Sequence, residues 1–180
     1  EIPINKHQLA VGYEADFEIF SKSRDASQTD QKQNFFLLAD FHFPSWYVNI
    51  LENFSATSDR AGTTFTSRIP RYDQSVNPKI GYQWKRTTFE AQFRHFLRDF
   101  RRKDDGVFDF QVFEWTGVVY YDLFAKMKAL AEYQFARIHY MHNSIRDGQF
   151  QQLRIGFEGE PMPHLMVKAR VGPHFRHYEV

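Results

Sequence analysis

Cysteine is absent from the 180 residues, which excludes disulfides, thiolate metal centres and cysteine nucleophiles. Long apolar runs are absent too. The sequence holds no stretch of about 18 apolar residues, so no helix of it can span a bilayer. Net charge is nearly absent, at +1, and no global field draws in nucleic acid. Mean hydropathy is −0.58, too low for a bundle of membrane helices. A β-barrel is compatible with that value, because it satisfies its backbone in hydrocarbon while only half of each strand is apolar.

What the chain does have is alternation. From His7 to Phe20, Leu9, Val11, Tyr13, Ala15, Phe17 and Ile19 fall on one side of a pleated strand, and Gln8, Ala10, Gly12, Glu14, Asp16 and Glu18 on the other. Successive side chains of a strand point to opposite faces. The pattern returns at Ile80-Tyr82-Trp84, at Leu153-Ile155-Phe157 and at Leu165-Val167-Ala169-Val171, each set against charged or small partners. Aromatic residues make up 18% of the chain and Phe alone numbers 20. They lie mainly on the apolar faces and near the turns, as Phe43, Trp46 and Tyr47 do, where amphipathic rings favour a membrane–water boundary.

Nine strands are predicted, at 7–20, 34–43, 46–57, 77–86, 88–100, 107–120, 125–140, 150–159 and 164–177. Most reach the about 9–11 residues of a tilted membrane strand, above the usual soluble length of about five or six. Long polar links alternate with tight reversals. The links are Lys22 to Gln33, Ser58 to Ser75, Arg101 to Gly106 and His142 to Gln149; the reversals fall near Ser45, Thr87, Asp122 and Pro161. Outer-membrane barrels combine long extracellular loops with short periplasmic turns. The loops near Asp25, Gly62, Lys103 and Arg146 are therefore expected outside the cell and the turns in the periplasm. A strand count near nine is odd where single-chain bacterial barrels use even numbers, the start carries no signal peptide, and Phe175 to Val180 ends without an aromatic residue. The expectation is an all-β, antiparallel up-and-down transmembrane barrel, residues 1–180 forming one domain of a larger barrel.

Two strands are imperfect. Glu52 interrupts the apolar face of Trp46, Val48, Ile50, Phe54 and Ala56, and His95 raises the same question. Phe108, Phe110 and Val112 alternate, and then Phe113, Glu114 and Trp115 break phase, which predicts a bulge.

The lumen-facing set is expected to be Glu14, Asp16, Glu18, Glu90, Arg94, Arg98, Lys128, Glu132, Arg154, Glu158, Lys168 and Arg170. Its opposite, facing lipid, is Leu9, Val11, Tyr13, Phe17, Ile80, Tyr82, Trp84, Ile155, Phe157 and Val167. Rings of charge set ion preference in pores, and Arg forks suit carboxylates and phosphates. The plainer account is cross-strand ion pairs that fill a narrow barrel. Glu14, Asp16 and Glu18 are spread by about 6–7 Å per step along the strand and make no calcium shell. His139 and His142, like His174 and His177, lack carboxylates at metal-motif spacing. Ser45, Ser55, Ser58 and Ser144 have no recognisable His and acid partners. No metal, cofactor or catalytic residue is assigned, and no enzyme is expected. Arg101, Arg102 and Lys103 are basic enough to meet lipopolysaccharide phosphates, although a solvated loop explains them as well.

Three short motifs carry a family resemblance: Leu9-Ala-Val-Gly-Tyr-Glu-Ala-Asp-Phe17, Leu153-Arg-Ile-Gly-Phe-Glu-Gly-Glu160 and Met166-Val-Lys-Ala-Arg-Val-Gly-Pro-His-Phe-Arg176. Together they resemble the second family of beta-barrel porins of Gram-negative outer membranes, in which comparable first and late strands frame a series of hairpins. The resemblance covers most of the chain. It departs around Glu114 and in the missing end of the barrel. It implies passage of polar solutes or assistance to polysaccharide export, with outer-membrane lipid, lipopolysaccharide, polysaccharide and outer-membrane proteins as partners. A structural barrel that anchors a surface or periplasmic assembly is the alternative, with Glu52 and His95 then marking protein contacts. A soluble lipocalin-like binding barrel is the third reading.

Overall fold

A side-chain period of two dictates pleated strands, and alternating short and long connections dictate that each strand pairs with the next. The computed structural model describes residues 2–4, 7–18, 30–58, 69–101, 103–142, 147–162 and 164–178, and in them this arrangement is what the chain adopts. The strands are β1 Ile2–Ile4, β2 His7–Glu18, β3 Asp30–His42, β4 Trp46–Thr57, β5 Arg71–Trp84 and β6 Thr87–Phe100, then β7 Phe110–Phe124, β8 Met127–Tyr140, β9 Gly148–Met162, β10 Leu165–Val171 and β11 His174–Tyr178. A 3₁₀ turn, Lys103–Phe108, precedes β7. All belong to one antiparallel, up-and-down sheet in sequence order, with β11 also on β9. Among the described residues β1 and β10 do not pair with each other, so the sheet is an open arc.

The last two strands are geometrically one. His174 opposite Gln152 continues the register of Val171 opposite Ile155. Pro173 interrupts the ladder because it has no N–H, while its carbonyl still accepts from the Leu153 N–H at 3.2 Å.

Register places every tight turn at one end of the arc. His42 faces Tyr47, Trp84 faces Thr87, Phe124 faces Met127 and Met162 faces Leu165. Lys85 and His164 take positive φ (54° and 66°), the left-handed conformation that two-residue hairpin loops favour. The long connections, between β2 and β3, β4 and β5, β6 and β7, and β8 and β9, all leave from the other end. The expected loop centres at Asp25, Gly62 and Arg146 lie outside the described residues.

Several boundaries differ from the sequence reading. β5 starts at Arg71, inside the stretch read as a loop, because Tyr72 to Val76 carries polar residues on both faces and shows no period. β7 runs through Phe124, so the turn is at Ala125-Lys126 and not at Tyr121-Asp122-Leu123. The bulge expected at Phe113 to Trp115 is absent: β7 keeps one register with β6 and with β8 through that stretch. Phe110 and Val112 share the face of Glu114, whereas Phe113, Trp115, Val119, Tyr121 and Leu123 form an unbroken apolar face opposite. Both faces are apolar at the loop end of β7, and that hid the phase. The irregularities sit beside the turns instead, at Asp122/Phe124 and Leu165/Val167. Pro78 is a further interruption, in mid-strand. The β5–β6 ladder passes from Val76–His95 to Lys79–Gln92 without pairing Asn77 or Pro78.

Candidate functional site

Directly paired residues share a face, so register alone sorts the side chains. One row runs Glu14, Asn34, Ser55, Asp73, Arg98, Phe110, Tyr140. Another runs Tyr47, Gly81, Glu90, Val118, Glu132, Arg154, and a third Asp122, Lys128, Glu158, Lys168. Asp16, Arg94 and Arg170 fall on the same face by the same pairing. Glu18 does so by its backbone, its side chain lying outside the described ones. The twelve charged residues expected to line a lumen thus stand on one side of the sheet.

Three clusters form on that side. Glu132, only 3% exposed, accepts from Arg154 Nη2 and, at 2.8 Å, from Arg170 Nη1. Arg170 also donates to Glu158 at 3.1 Å and Arg154 to Gln134 at 3.2 Å. In the second cluster the Arg98 fork grips Asp73 with bonds of 2.7 and 2.9 Å, and Arg71 Nε reaches the same carboxylate at 3.1 Å. The third joins the Tyr47 hydroxyl, which donates to Glu90, with Lys79 3.8 Å from that carboxylate. Arg94 lies 3.9 Å from Glu114 and Lys128 3.8 Å from Asp122. Glu14 stands apart from these clusters, accepting from Asn34 Nδ2 at 3.5 Å.

Tyr47 and Glu90 are two strands apart, as are Arg170 and Glu132. Such strands lie about 10 Å apart, and their side chains converge where a sheet curls inward. Every strand-skipping hydrogen bond among the described residues is on this charged face, which is therefore the concave one. Sequence reasoning missed Asp73, Arg71, Lys79 and Tyr47. Asp73 and Arg71 lie in the part of β5 read as a loop, Lys79 lies in the predicted strand 77–86 without standing out from its neighbours, and Tyr47 reads as an ordinary boundary aromatic.

The opposite face is apolar and open. Leu9, Val11, Tyr13, Ile80, Tyr82, Trp84, Ile155 and Phe157 are all exposed, Tyr13 by 66%. Val167 is half-buried; Phe17 follows by its backbone, its side chain lying outside the described ones. Counted from the turn end, this face stays apolar for about ten residues, until Gln33, Gln74, Arg137 and Gln151. At about 2.5 Å of height per tilted residue that is a band of about 25 Å, the height of the lipid-facing belt of an outer-membrane barrel. Trp46, Trp84, Tyr82 and Tyr121 edge the band near the turns, and Phe54, Tyr72 and Trp115 edge it near the loops. Glu52 and His95 are polar exceptions within it.

At the loop end, two aspartates close the connections that the described residues show. Asp109 accepts from the Phe100 N–H at 2.7 Å and lies 3.6 Å from His142. Asp147 accepts from the Tyr140 N–H at 2.7 Å and contacts His139 at 2.6 Å. Burial pushes the Asp109 carboxyl above the usual carboxylate range, and the Phe100 N–H only partly offsets it. Burial pushes Asp147 up as well, but there the Tyr140 N–H and His139 outweigh it and the net shift is downward.

No protein-family model matches the sequence, and no curated protein matches it. Two solved structures share the fold. A loop L8 deletion mutant of OmpT, an outer membrane protein of Vibrio cholerae, is similar with a TM-score of 0.73 and 13% identity over 98% of this chain and 56% of that one. The in-vitro folded OmpT of the same organism is similar at 0.61 and 13%, over 98% and 62%. The chain thus spans less than two thirds of either neighbour, and its fold is that of outer-membrane β-barrel proteins.

Proposed function

We propose that this chain is one domain in the wall of a bacterial outer-membrane barrel, and that its charged face lines a hydrated lumen through which polar solutes pass. The observation that carries the reading is the separation of faces: paired charges on the concave side, and an exposed apolar belt of bilayer height on the convex one. The residues from Glu14 to Arg170 named above are then lumenal, and those from Leu9 to Val167 meet lipid and, at the outer rim, lipopolysaccharide. About ten strand positions on 56–62% of the neighbours' length scale to about 16–18 strands, the size at which a barrel leaves an aqueous channel. The lumen works passively in this reading, by field and width, with no catalytic residue. The resemblance to the second porin family extends the reading to polysaccharide export, in which acidic groups of a polymer would exchange with Glu132 and Glu158 on the guanidinium groups of Arg154 and Arg170.

Planar-bilayer recording of the intact protein tests this. Stepwise conductance is expected, with ion selectivity that shifts toward anions in Glu132→Gln. Silence across all voltages, with the protein folded, removes transport. It would leave the structural-anchor reading, which the packing of Glu132 between two arginines favours.

A further inference from the structure

The outer face of β4, β5 and β6 breaks the rule that the rest of the belt keeps. Glu52 lies about six residues from the turn end of β4 and His95 about eight from that of β6, so both fall inside an apolar band of about 25 Å. Val76 of β5 stands between them on one row, paired with Glu52 on one side and His95 on the other. Gln74 Nε2 donates to Glu52 at 3.2 Å. The His95 ring stacks on Phe113 at 4.8 Å, and its Nε2 is covered without any hydrogen-bond partner. Hydrocarbon offers neither group a partner, and an unmet polar atom there costs free energy.

The same patch is also indented. Pro78 interrupts the β5–β6 ladder, and Val48, Ile50, Pro78, Ile80, Ala91 and Phe93 line a groove of about 360 Å³ on this face. Other polar side chains of the outer face lie at its rims, Arg137 and Gln151 at the loop end and His7 at the turn end.

We propose that this face docks a second copy of the chain about a two-fold axis running beside β5, parallel to the membrane normal. Only an axis in that direction keeps both copies in the same orientation in the bilayer. The rotation exchanges the β4 side with the β6 side, so that Glu52 meets His95 of the partner subunit and His95 meets Glu52 of the partner subunit. Each contact occurs twice, as an isologous interface requires. The two polar groups are a carboxylate and an imidazole and differ in height by about two residues, about 5 Å. Complementarity of this carboxylate with the Nδ1 edge of the imidazole, whose Nε2 is already covered within its own chain, selects the second copy over lipid, since acyl chains offer neither group a partner. The inference rests on the outer face meeting hydrocarbon, as proposed above.

These 180 residues hold no cysteine, so a thiol placed among them is unique there. The intact protein in outer-membrane vesicles, carrying Val76→Cys with any cysteine outside these residues replaced by serine, is treated with a short bismaleimide. A covalent dimer is expected, and none from Ile155→Cys on the far side of the arc. Glu52→Gln or His95→Asn in the Val76→Cys background lowers the dimer fraction about five-fold, as loss of a desolvated charge contact does. The combined exchange Glu52→His with His95→Glu restores it. A lipid-soluble maleimide supplies the control. If it labels Ile155→Cys and Val76→Cys equally and no dimer forms, lipid covers the patch and the second copy is refuted. A dimer that ignores both single substitutions refutes the Glu52–His95 contact. If Ile155→Cys is not reached from the lipid phase, the membrane reading itself fails and takes the interface with it.

Discussion

Gly81 shows how much one missing methyl carries. Tyr47 lies across it to reach Glu90, and a Cβ built there would fall within the tyrosine ring. Gly12 gives the Phe36 ring the same space. Gly81→Ala must therefore evict Tyr47 and is expected to cost about 1–3 kcal/mol, the penalty for overpacking, in urea unfolding of the protein in lipid vesicles. Tyr47→Phe keeps the ring in place and loses only the hydrogen bond, at about 1 kcal/mol. Glu132→Ala strips the shared partner from Arg154 and Arg170 in a half-buried setting and is expected to cost about 3 kcal/mol in the same assay. The face of each of these residues is legible in the sequence, because parity within a strand fixes it. Their partners are not. That Arg170 reaches Glu132 over Gly156, or Tyr47 reaches Glu90 over Gly81, depends on curvature, which no single strand encodes.

Among the elements, the loop closures respond to acid in opposite senses. The Asp147 carboxyl sits lower in the folded chain than in the unfolded one. Its contribution is therefore present above the ordinary carboxylate range and is lost as pH falls through the folded value. The Asp109 carboxyl sits higher, so its contribution is fully present below the unfolded value and is lost as pH rises through the folded one. Acidification from neutrality to about pH 4 is thus expected to leave the Tyr140 amide protected and to hold or strengthen protection at Phe100. Hydrogen exchange, corrected for intrinsic rates, reads both amides. Asp147→Asn removes the charged acceptor and should raise exchange at Tyr140 about ten-fold at neutral pH. Strand existence was legible in the alternation from β2 onward, with β10 and β11 reading as one, whereas the three residues of β1 are too few to show a period. Strand ends were not, where a stretch such as Tyr72 to Val76 is polar on both faces or, as at the start of β7, apolar on both. Neither aspartate stood out, since a carboxylate that closes a loop looks like any other loop residue.

At the scale of the molecule, all the tight turns gather at one rim and all the long links at the other. A peptide tag inserted in the link between Tyr140 and Asp147 is expected to bind antibody on intact cells. The same tag in the Ala125-Lys126 turn should be silent until the outer membrane is permeabilised. Staining of the Ala125-Lys126 tag alone on intact cells would reverse the orientation given to the arc. Long-short alternation made this polarity readable from the chain alone. Whether the arc closes, and on what, was not readable, because closure is a property of the whole circumference.

The uninterrupted registers of the middle strands have a consequence for how such a wall can change over generations. Adding or removing a single residue inside a strand would turn over everything beyond it, carrying arginine to the apolar face and phenylalanine to the charged one. Substitution that respects a residue's face and its neighbours is therefore open along the ribbons, but growth and shrinkage are confined to the rim of long links, where a lineage can rewrite its loops without disturbing the wall beneath.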